Sequence, residues 1–188
     1  MVRRENLRRG LNKPLFETRA VQFFMLPITK IVSGGQTGAD RAALDFAIER
    51  GILHSGWCPK GRKAEDGPID GRYQLQETGS ADYLKRTEWN IRDSDGTVIF
   101  TMRSELTGGS KRTAGFALKH RKPCLHLHSS ETISRCAGRL AEFIRASSIR
   151  ILNVAGSRGS KEPEVGAFVR AVLDAASNEH SQTSGGPG

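Results

Sequence analysis

Cysteine is scarce in this chain of 188 residues, which holds only Cys58, Cys124 and Cys136. The number is odd and no Cys-x-x-Cys pair occurs, so the sequence argues against a disulfide framework and against a structural zinc site. Proteins without disulfides are typical of reducing compartments, and we therefore predict a cytoplasmic protein. Long apolar runs are also missing. None approaches the roughly 20 residues that a membrane-spanning helix needs, so we expect no membrane partner.

Aromatic residues make up only 6% of the chain, and they form no stripe interleaved with arginine or lysine. Single-stranded nucleic acids stack on such stripes, so a nucleic-acid partner is disfavoured. Positive charge, by contrast, is plentiful, and the formal net charge is +9. A basic protein favours an anionic partner, and we predict a phosphorylated small molecule.

The two ends of the chain differ from the middle in composition. Residues 1–24 are basic and lack periodic apolar positions, and residues 177–188 are rich in serine and glycine. Such segments bury too little apolar surface to fold. We therefore predict a disordered basic extension over 1–24, one ligand-binding domain over 25–176, and a disordered tail over 177–188.

Short β-branched runs alternate with amphipathic helical patterns between these ends. The patterns predict strands over 28–33, 54–58, 97–101, 124–128 and 149–155. They predict helices over 38–50, 110–120 and 131–146, and a last helix that starts near Pro163. Strands separated by helices form right-handed crossovers. The predicted fold class is therefore α/β, a three-layer, doubly wound, mostly parallel sheet of about five or more strands in a single domain.

Ligands of such sheets bind outside the carboxyl ends of the strands, and the first predicted strand ends in a glycine-rich loop. Backbone amides come close to a ligand where no Cβ intervenes, and a helix start attracts phosphate. We predict that this loop binds the ligand through Gly34, Gly35, Gln36, Thr37, Gly38 and Asp40. The alternative is a tight turn in which Thr37 caps the helix and Asp40 reaches back, a variant of the capping box.

A second glycine loop follows the buried strand over 97–101. The first turn of its helix holds no acidic residue, and Lys111 and Arg112 add positive charge, so it is the better anion site of the two. We predict binding through Gly108, Gly109, Ser110 and Thr113. The alternative is a simple loop whose basic residues face water.

A third loop, over 155–160, is less suited to an anion because Glu162 and Glu164 stand at the start of the following helix and repel phosphate. We still predict that Gly156 brings backbone near the ligand and that Arg158 reaches it. Neither G-x-x-x-x-G-K-[ST] nor G-x-G-x-x-G occurs in the chain, which disfavours a P-loop NTPase and an ordinary dehydrogenase.

No strand or helix is predicted between residues 59 and 79, and loops of this length are often functional. We predict that Lys60 and Arg62 cover the anionic ligand, with Glu65 and Asp66 either as their ion-pair partners or as contacts for polar ligand groups. The alternative is a solvated charged loop. A helix is then predicted to begin near residue 80, with Ser80 as its N-cap.

His126 and His128 are two residues apart on a predicted strand and therefore share one face. Metal-binding pairs use that spacing, but no third ligand is identifiable in the sequence. We predict an ordinary pair at the end of a strand and no metal site.

Six blocks of the sequence, spread over about residues 28–173, resemble the molybdenum carrier family. This family is a circularly permuted branch of the lysine-decarboxylase-like Rossmannoid proteins and is related to the LOG phosphoribohydrolases. The blocks are SGGQTGAD, GWCPKGRKAEDG, RTEWNIRDSDGTVIF, LTGGSKRT, KPCLHL and LNVAGSRGSK.

The resemblance implies a Rossmann-like sheet, a ligand pocket under paired glycine loops, and a homo-oligomer. It also implies a carrier or storage protein for molybdenum cofactor, a pterin that bears a phosphate and a metal held by a dithiolene. The pocket residues that the resemblance implies are Gly34, Gly35, Thr37, Gly38, Gly108, Gly109, Ser110 and Thr113.

One departure from the related hydrolases bears on catalysis. Their Gly-Gly-x-Gly-Thr-x-x-Glu motif ends in a catalytic glutamate, and Gly115 stands at that position here. We therefore favour a binding protein over an enzyme. Two alternatives stay open. One is cleavage of a nucleotide N-glycosidic bond, with Asp40, Glu65 or Asp66 as the acid, and the other is a sensor of a nucleotide derivative.

Overall fold

The computed structural model describes residues 27–178. The predicted extension over 1–24 lies outside these residues, and so does the tail from residue 179 onward. Helix α5 covers Val165–Asn178, so the first two positions of the predicted tail are helical. No helix in the described part of the chain is long and apolar enough to cross a membrane.

A parallel sheet of five strands forms the middle layer, which confirms the predicted α/β class. Its strands are β1 (Lys30–Val32), β2 (Leu53–Ser55), β7 (Gly96–Thr101), β8 (Cys124–His128) and β9 (Ile151–Gly156). The order across the sheet is β2-β1-β9-β7-β8. Every residue of β7 is buried, as expected for a strand with a neighbour on each side and helices on both faces.

Helices form the two outer layers. On one face, α1 (Ala39–Glu49) and α4 (Ile133–Ala146) both pack against α5, and on the other face α2 (Tyr83–Arg92) packs against α3 (Gly108–Lys119). The larger hydrophobic core lies under the first group. Each fully buried large side chain there contributes about 1.5–3 kcal/mol to the free energy of unfolding. These side chains include Phe46, Phe100, Leu140 and Leu173.

The carboxyl ends of the parallel strands meet at one edge of the sheet. The chain crosses from β1 to β2 on one side of the sheet and from β7 to β8 on the other, and β9 returns to the place between β1 and β7. A crevice forms where neighbouring connections leave a sheet in opposite directions. The three glycine loops follow β1, β7 and β9, so they all border this crevice.

The strand predicted over 54–58 is wrong as a single strand because the chain changes sheets at Gly56. β3 (Trp57–Cys58) leaves the central sheet and pairs with β6 (Gln76–Glu77). A Cβ on Gly56 would lie 1.9 Å from the carbonyl oxygen of Ser33, and its φ of +152° is one that other residues rarely adopt.

The segment over 59–79, which we call the strap, contains short strands where none was predicted. β4 (Lys63–Ala64) pairs with β5 (Gly67–Pro68), and β6 pairs with β3 as described. The side chain of Arg62 donates hydrogen bonds to four carbonyl oxygens of the strap, and these anchor its turns. The acceptors belong to Ile69, Asp70, Tyr73 and Leu75.

The helix after the strap begins two residues later than predicted. Its N-cap is Asp82, whose side chain accepts a hydrogen bond of 2.8 Å from the amide of Leu84. Ser80 lies before the cap, where its carbonyl oxygen accepts bonds from Lys60 and Thr78. An aspartate carboxylate and a serine hydroxyl cap helices about equally well, so sequence alone did not separate the two positions.

Candidate functional site

A cavity of about 550 Å³ lies at the carboxyl ends of β1, β9 and β7. Its volume falls in the range of roughly 300–1,000 Å³ that is typical of small-molecule sites. Eight of the thirteen predicted binding residues line it: Gly34, Gln36, Asp40, Gly108, Gly109, Ser110, Thr113 and Gly156. The other five do not line it: Gly35, Thr37, Gly38, Lys60 and Arg62.

The second glycine loop leaves the start of α3 open toward the cavity. Thr107 occupies the N-cap position but makes no side-chain capping bond, and the first turn holds no acidic residue. Amides in the first turn of a helix have no acceptor within the helix. No heavy atom lies within 4 Å of a Cβ built on Gly108 or Gly109, so the space beside these two residues, where a side chain would lie, is unoccupied. The arrangement is suited to an anion.

The first glycine loop, by contrast, has already used several of its amides. Gln36 N donates to Asp40 Oδ2 at 3.2 Å, Thr37 N donates to Gln36 Oε1 at 3.1 Å, and Ala39 N donates to the carbonyl oxygen of Ser157 at 3.2 Å. The N-cap of α1 is Gly38, without a side-chain capping bond, so the alternative with Thr37 as cap is wrong. Asp40 does reach back, to Gln36.

The third loop fills the space in front of α1. Gly38 has a φ of +80°, and a Cβ there would lie 2.6 Å from both Gly159 N and the carbonyl oxygen of Ser157. Gly159 N also donates to Thr37 Oγ1 at 3.2 Å. The glycine at position 38 is therefore required by loop packing, because this contact leaves no room for a side chain.

A buried ion pair closes the wall of the cavity next to Gly34. Arg86 Nη1 lies 2.9 Å from Asp40 Oδ2, and the two side chains are only 12% and 8% exposed. A Cβ on Gly34 would lie 1.3 Å from Arg86 Nη1, so the guanidinium occupies the place where any other residue would put its side chain. Arg86 is the first residue of the RTEWNIRDSDGTVIF block, which is the sequence signal that could have pointed to it.

Four further cationic side chains line the cavity. Among the described residues, none of the four has a carboxylate oxygen within 4 Å of its nitrogen atoms. They are Arg103, Arg112, Arg158 and Lys161. The only acidic residues of the lining are Asp40, which is paired, and Glu162, whose Oε2 accepts a bond of 2.7 Å from Met102 N. The cavity is therefore positively charged, which attracts an anionic ligand.

Tyr83 lines the cavity beside these cations. The guanidinium of Arg158 lies 5.0 Å from the centre of its ring, and that of Arg86 lies 5.9 Å from it. Sequence analysis missed Tyr83, Arg86, Arg103 and Lys161 as cavity residues. For Tyr83 and Arg103 no pattern in the sequence could have found them, because their placement depends on how α2 and the loop after β7 fold over the sheet.

The strap contacts the glycine loops through its acidic residues. Glu65 accepts hydrogen bonds from Thr37 Oγ1 and from Ser160, and Asp66 forms an ion pair with Arg41. Partial burial acts to raise the pKa of Glu65, but the hydrogen bonds from Ser160 and Thr37 outweigh it and hold the pKa below the ordinary value. Glu65 and Asp66 thus fasten the strap and do not line the cavity.

The two histidines of β8 lie outside the cavity. His126 Nε2 is 2.7 Å from Thr101 Oγ1, and His128 Nε2 is 3.4 Å from Glu131 Oε1. Within residues 27–178, no group of three or more His, Cys, Asp or Glu side chains is arranged to hold a metal ion.

Comparison with known proteins places these features in a family. A family model, the circularly permutated YpsA SLOG family, matches residues 31–177, which is most of the chain. The chain belongs to this family. A crystal structure from Syntrophus aciditrophicus, described as that of a "putative molybdenum carrier protein", is 47% identical in sequence and has a TM-score of 0.79. The match covers 81% of this chain and 96% of that one. No curated protein matches the chain.

Membership of the SLOG family confirms the resemblance on which the Rossmann-like fold was expected, and it supports a ligand-binding role. Gly115, which stands where the related hydrolases have their glutamate, is exposed on α3 and does not line the cavity. A carboxylate at that position of this chain would therefore not face the space between the glycine loops.

Proposed function

We propose that this protein binds a phosphate-bearing small molecule in the cavity, as a carrier or storage protein, and that molybdenum cofactor is the first candidate. The observation that carries the proposal is the start of α3, where Gly108, Gly109 and Ser110 line the cavity and no side chain caps the helix. A phosphate at a helix start is stabilised both by these amides and by the helix dipole. Arg112, in the same turn, adds a full positive charge.

The residues present fit the candidate ligand in three respects. The open amides of α3 suit its phosphate, the four unpaired cations suit its overall negative charge, and the volume of about 550 Å³ suits a ligand of its size. The dithiolene of the cofactor holds its own metal, so the protein needs no metal-ligating cluster. The neighbour from Syntrophus aciditrophicus carries the description of a molybdenum carrier, which favours the same candidate.

The proposal is tested by charge reversal at the cavity. The double variant Arg103→Glu/Arg112→Glu removes two of the unpaired cations, and each charge-assisted contact to phosphate is worth about 1.5–3 kcal/mol. We expect the variant to retain at most a few per cent of the cofactor that the unaltered protein retains. Bound cofactor is measured as molybdenum by mass spectrometry and as fluorescence of the oxidised pterin, after incubation with cofactor released from a molybdoenzyme.

The control is Arg145→Glu, a single charge reversal on the exposed side of α4, away from the cavity. It should retain as much cofactor as the unaltered protein. If the unaltered protein retains neither molybdenum nor pterin above the level of an unrelated protein, molybdenum cofactor is excluded as the ligand. If the double variant retains as much as the control, the phosphate site is excluded.

A second candidate function is cleavage of a nucleotide N-glycosidic bond, and Asp40 is the observation that favours it. Asp40 is only 6% exposed and lines the cavity, as a catalytic carboxylate would. The assay is the release of free base from AMP. Release that is lost in Asp40→Asn supports this function, and the absence of release from a panel of nucleotides excludes it.

Two further properties belong to the proposal: assembly as a homo-oligomer, which the resemblance implies, and a cytoplasmic location, which the scarcity of cysteine favours. Light scattering of the purified protein measures the first, and fractionation of cells that produce it measures the second. A monomeric protein would contradict the homo-oligomer.

A further inference from the structure

Two hydrogen-bond donors are buried without a partner in the wall of the cavity. Gln36 is only 3% exposed, and its Nε2 has no acceptor among the described residues. Arg86 Nε is buried without an acceptor in the same way. Both residues line the cavity, and both are joined to Asp40 Oδ2, which accepts from Gln36 N and from Arg86 Nη1. We call Gln36 and Arg86 together the donor wall.

The side-chain amide of Gln36 has only one possible orientation. Its Oε1 accepts from the backbone amide of Thr37 at 3.1 Å and from that of Glu65 at 2.9 Å. Backbone amides are donors only, so the atom that faces both of them must be the oxygen. The other end of the amide group is therefore nitrogen, which can only donate.

Arg86 is equally restricted in what it can offer. A guanidinium has donors and no acceptor, and it stays charged at any ordinary pH. Its Nη1 contacts Asp40, and the guanidinium lies where a Cβ of residue 34 would be. Its Nε therefore also requires an acceptor.

We propose that the donor wall recognises the acceptor edge of a planar heterocycle, a carbonyl oxygen beside an unprotonated ring nitrogen. This inference rests on the proposed function, since it concerns the other end of the same phosphate-bearing ligand. A buried donor without a partner is costly, and an acceptor that reaches it from the cavity removes that cost. Both nitrogens are covered, so the ligand displaces their side chains slightly as it enters.

The donor wall selects between classes of heterocycle. Guanine presents O6 and N7 as neighbouring acceptors, the pattern that arginine recognises in nucleic acids, whereas adenine places the N6 amino group beside N7. An oxidised pterin presents its C4 carbonyl oxygen beside an unprotonated N5 in the same way as guanine, whereas a reduced pterin carries a hydrogen on N5 and presents the carbonyl oxygen as its acceptor at this edge. An amino group opposite the donor wall would face its N–H groups with other N–H groups and form no hydrogen bond. Heterocycles with a carbonyl at this edge should therefore bind, and those with an amino group there should be rejected.

The experiment compares three probes by calorimetry: GMP, 7-deaza-GMP, which lacks the ring-nitrogen acceptor, and AMP, which lacks the carbonyl. We expect the unaltered protein to bind GMP about ten- to a hundredfold more tightly than either of the others. Gln36→Glu keeps an oxygen for Thr37 and Glu65 but removes the donor, so these ratios should fall toward one. Gln76→Glu, on the exposed strand β6, makes the same chemical change away from the cavity and should keep the ratios.

The ratios separate recognition from charge, because the three probes carry the same phosphate. A negative charge at position 36 that acted only on the phosphate would weaken all three equally. Equal binding of GMP, 7-deaza-GMP and AMP by the unaltered protein overturns the donor wall but leaves the phosphate site in place. Failure of all three to bind also overturns it, because a wall made for an acceptor edge accepts guanine. The charge-reversal experiment at Arg103 and Arg112 then decides separately on the phosphate site.

Discussion

Replacement of Gly34 by alanine tests whether the wall of the cavity depends on the ion pair beneath it. A Cβ at this position would lie 1.3 Å from Arg86 Nη1 and 2.9 Å from Asp40 Oδ2. The backbone of Gly34 is not in the left-handed region, so alanine adopts its conformation without strain. Arg86 is the flexible partner, and its guanidinium must therefore move away and leave Asp40 without its counter-ion.

The size of the effect follows from the burial of the pair. Loss of one partner of a buried ion pair costs about 3–5 kcal/mol. Asp40 keeps its hydrogen bond from Gln36 N, and Arg86 is displaced but still present, so we expect Gly34→Ala to lower the free energy of unfolding by about 2–3 kcal/mol. For a protein of this size, each kcal/mol corresponds to about 2–4 °C in Tm, so the melting temperature should fall by roughly 4–12 °C.

The measurement is a double-mutant cycle of urea unfolding. In an Arg86→Ala background, the guanidinium is gone and only the contact with Asp40 Oδ2 at 2.9 Å is left to relax, so Gly34→Ala should cost much less than it does beside Arg86. Gly115→Ala is the control for glycine replacement as such. Gly115 is exposed, no heavy atom lies within 4 Å of its Cβ position, and alanine in a helix should stabilise by about 0.5–1 kcal/mol. An equal cost of Gly34→Ala in both backgrounds would refute the reasoning.

Two further outcomes are expected. Arg62→Met removes the donors to four carbonyl oxygens of the strap. It should lower the free energy of unfolding by about 2–4 kcal/mol and speed proteolysis within 59–79. The control is Lys60→Met, a change at an exposed residue nearby, which should have neither effect. The pKa of His126 is lowered by burial and by its neighbours His128 and Arg139, so the unfolded state binds the proton more readily. The contribution of His126 to the free energy of unfolding should therefore be full above about pH 6.5 and be lost as the pH falls below that value. Urea unfolding at pH 7.5 and 5.5 measures this loss, which should be smaller in His126→Asn. An equal loss in both proteins would show that other groups cause it.

The central layers of the fold could be predicted because each element carries its own periodicity. The run Thr97–Thr101 is apolar and β-branched, and it is the buried strand β7 with one residue added. The apolar stripe over 131–146 became α4 for the same local reason. Gly56 and the strap could not be predicted. Their conformation depends on a contact with Ser33 and on the carbonyl oxygens that Arg62 gathers, and neither is visible in nearby residues.

The candidate site could be predicted only in part. The glycine loops at the strand ends pointed to the edge of the sheet where the cavity lies, because that edge follows from topology. The full lining of the cavity also depends on residues that are distant in the sequence. Arg86, for example, comes from α2 and lies over Gly34. Lys60 and Arg62 were expected over the ligand because they are basic, but Arg62 is held by carbonyl oxygens of the strap.

The two glycine loops read alike in sequence and differ in what their amides do. In the loop after β1, the backbone amides already have acceptors within the protein. Gln36 N donates to Asp40, Thr37 N donates to the Gln36 side chain, and Ala39 N, at the start of α1, donates to Ser157. The donors that this loop has left are therefore side-chain groups. After β7, nothing caps α3, and its backbone stays open at Gly109. Under the proposal, the anion binds at the uncapped start of α3, where the backbone amides and the helix dipole act together. The bonds of the first loop are internal, and under the proposal its side-chain donors shift only slightly to meet the ligand, so they contribute to discrimination between ligands more than to affinity. The proposal thus assigns charge recognition to the loop after β7 and ligand selectivity to the loop after β1.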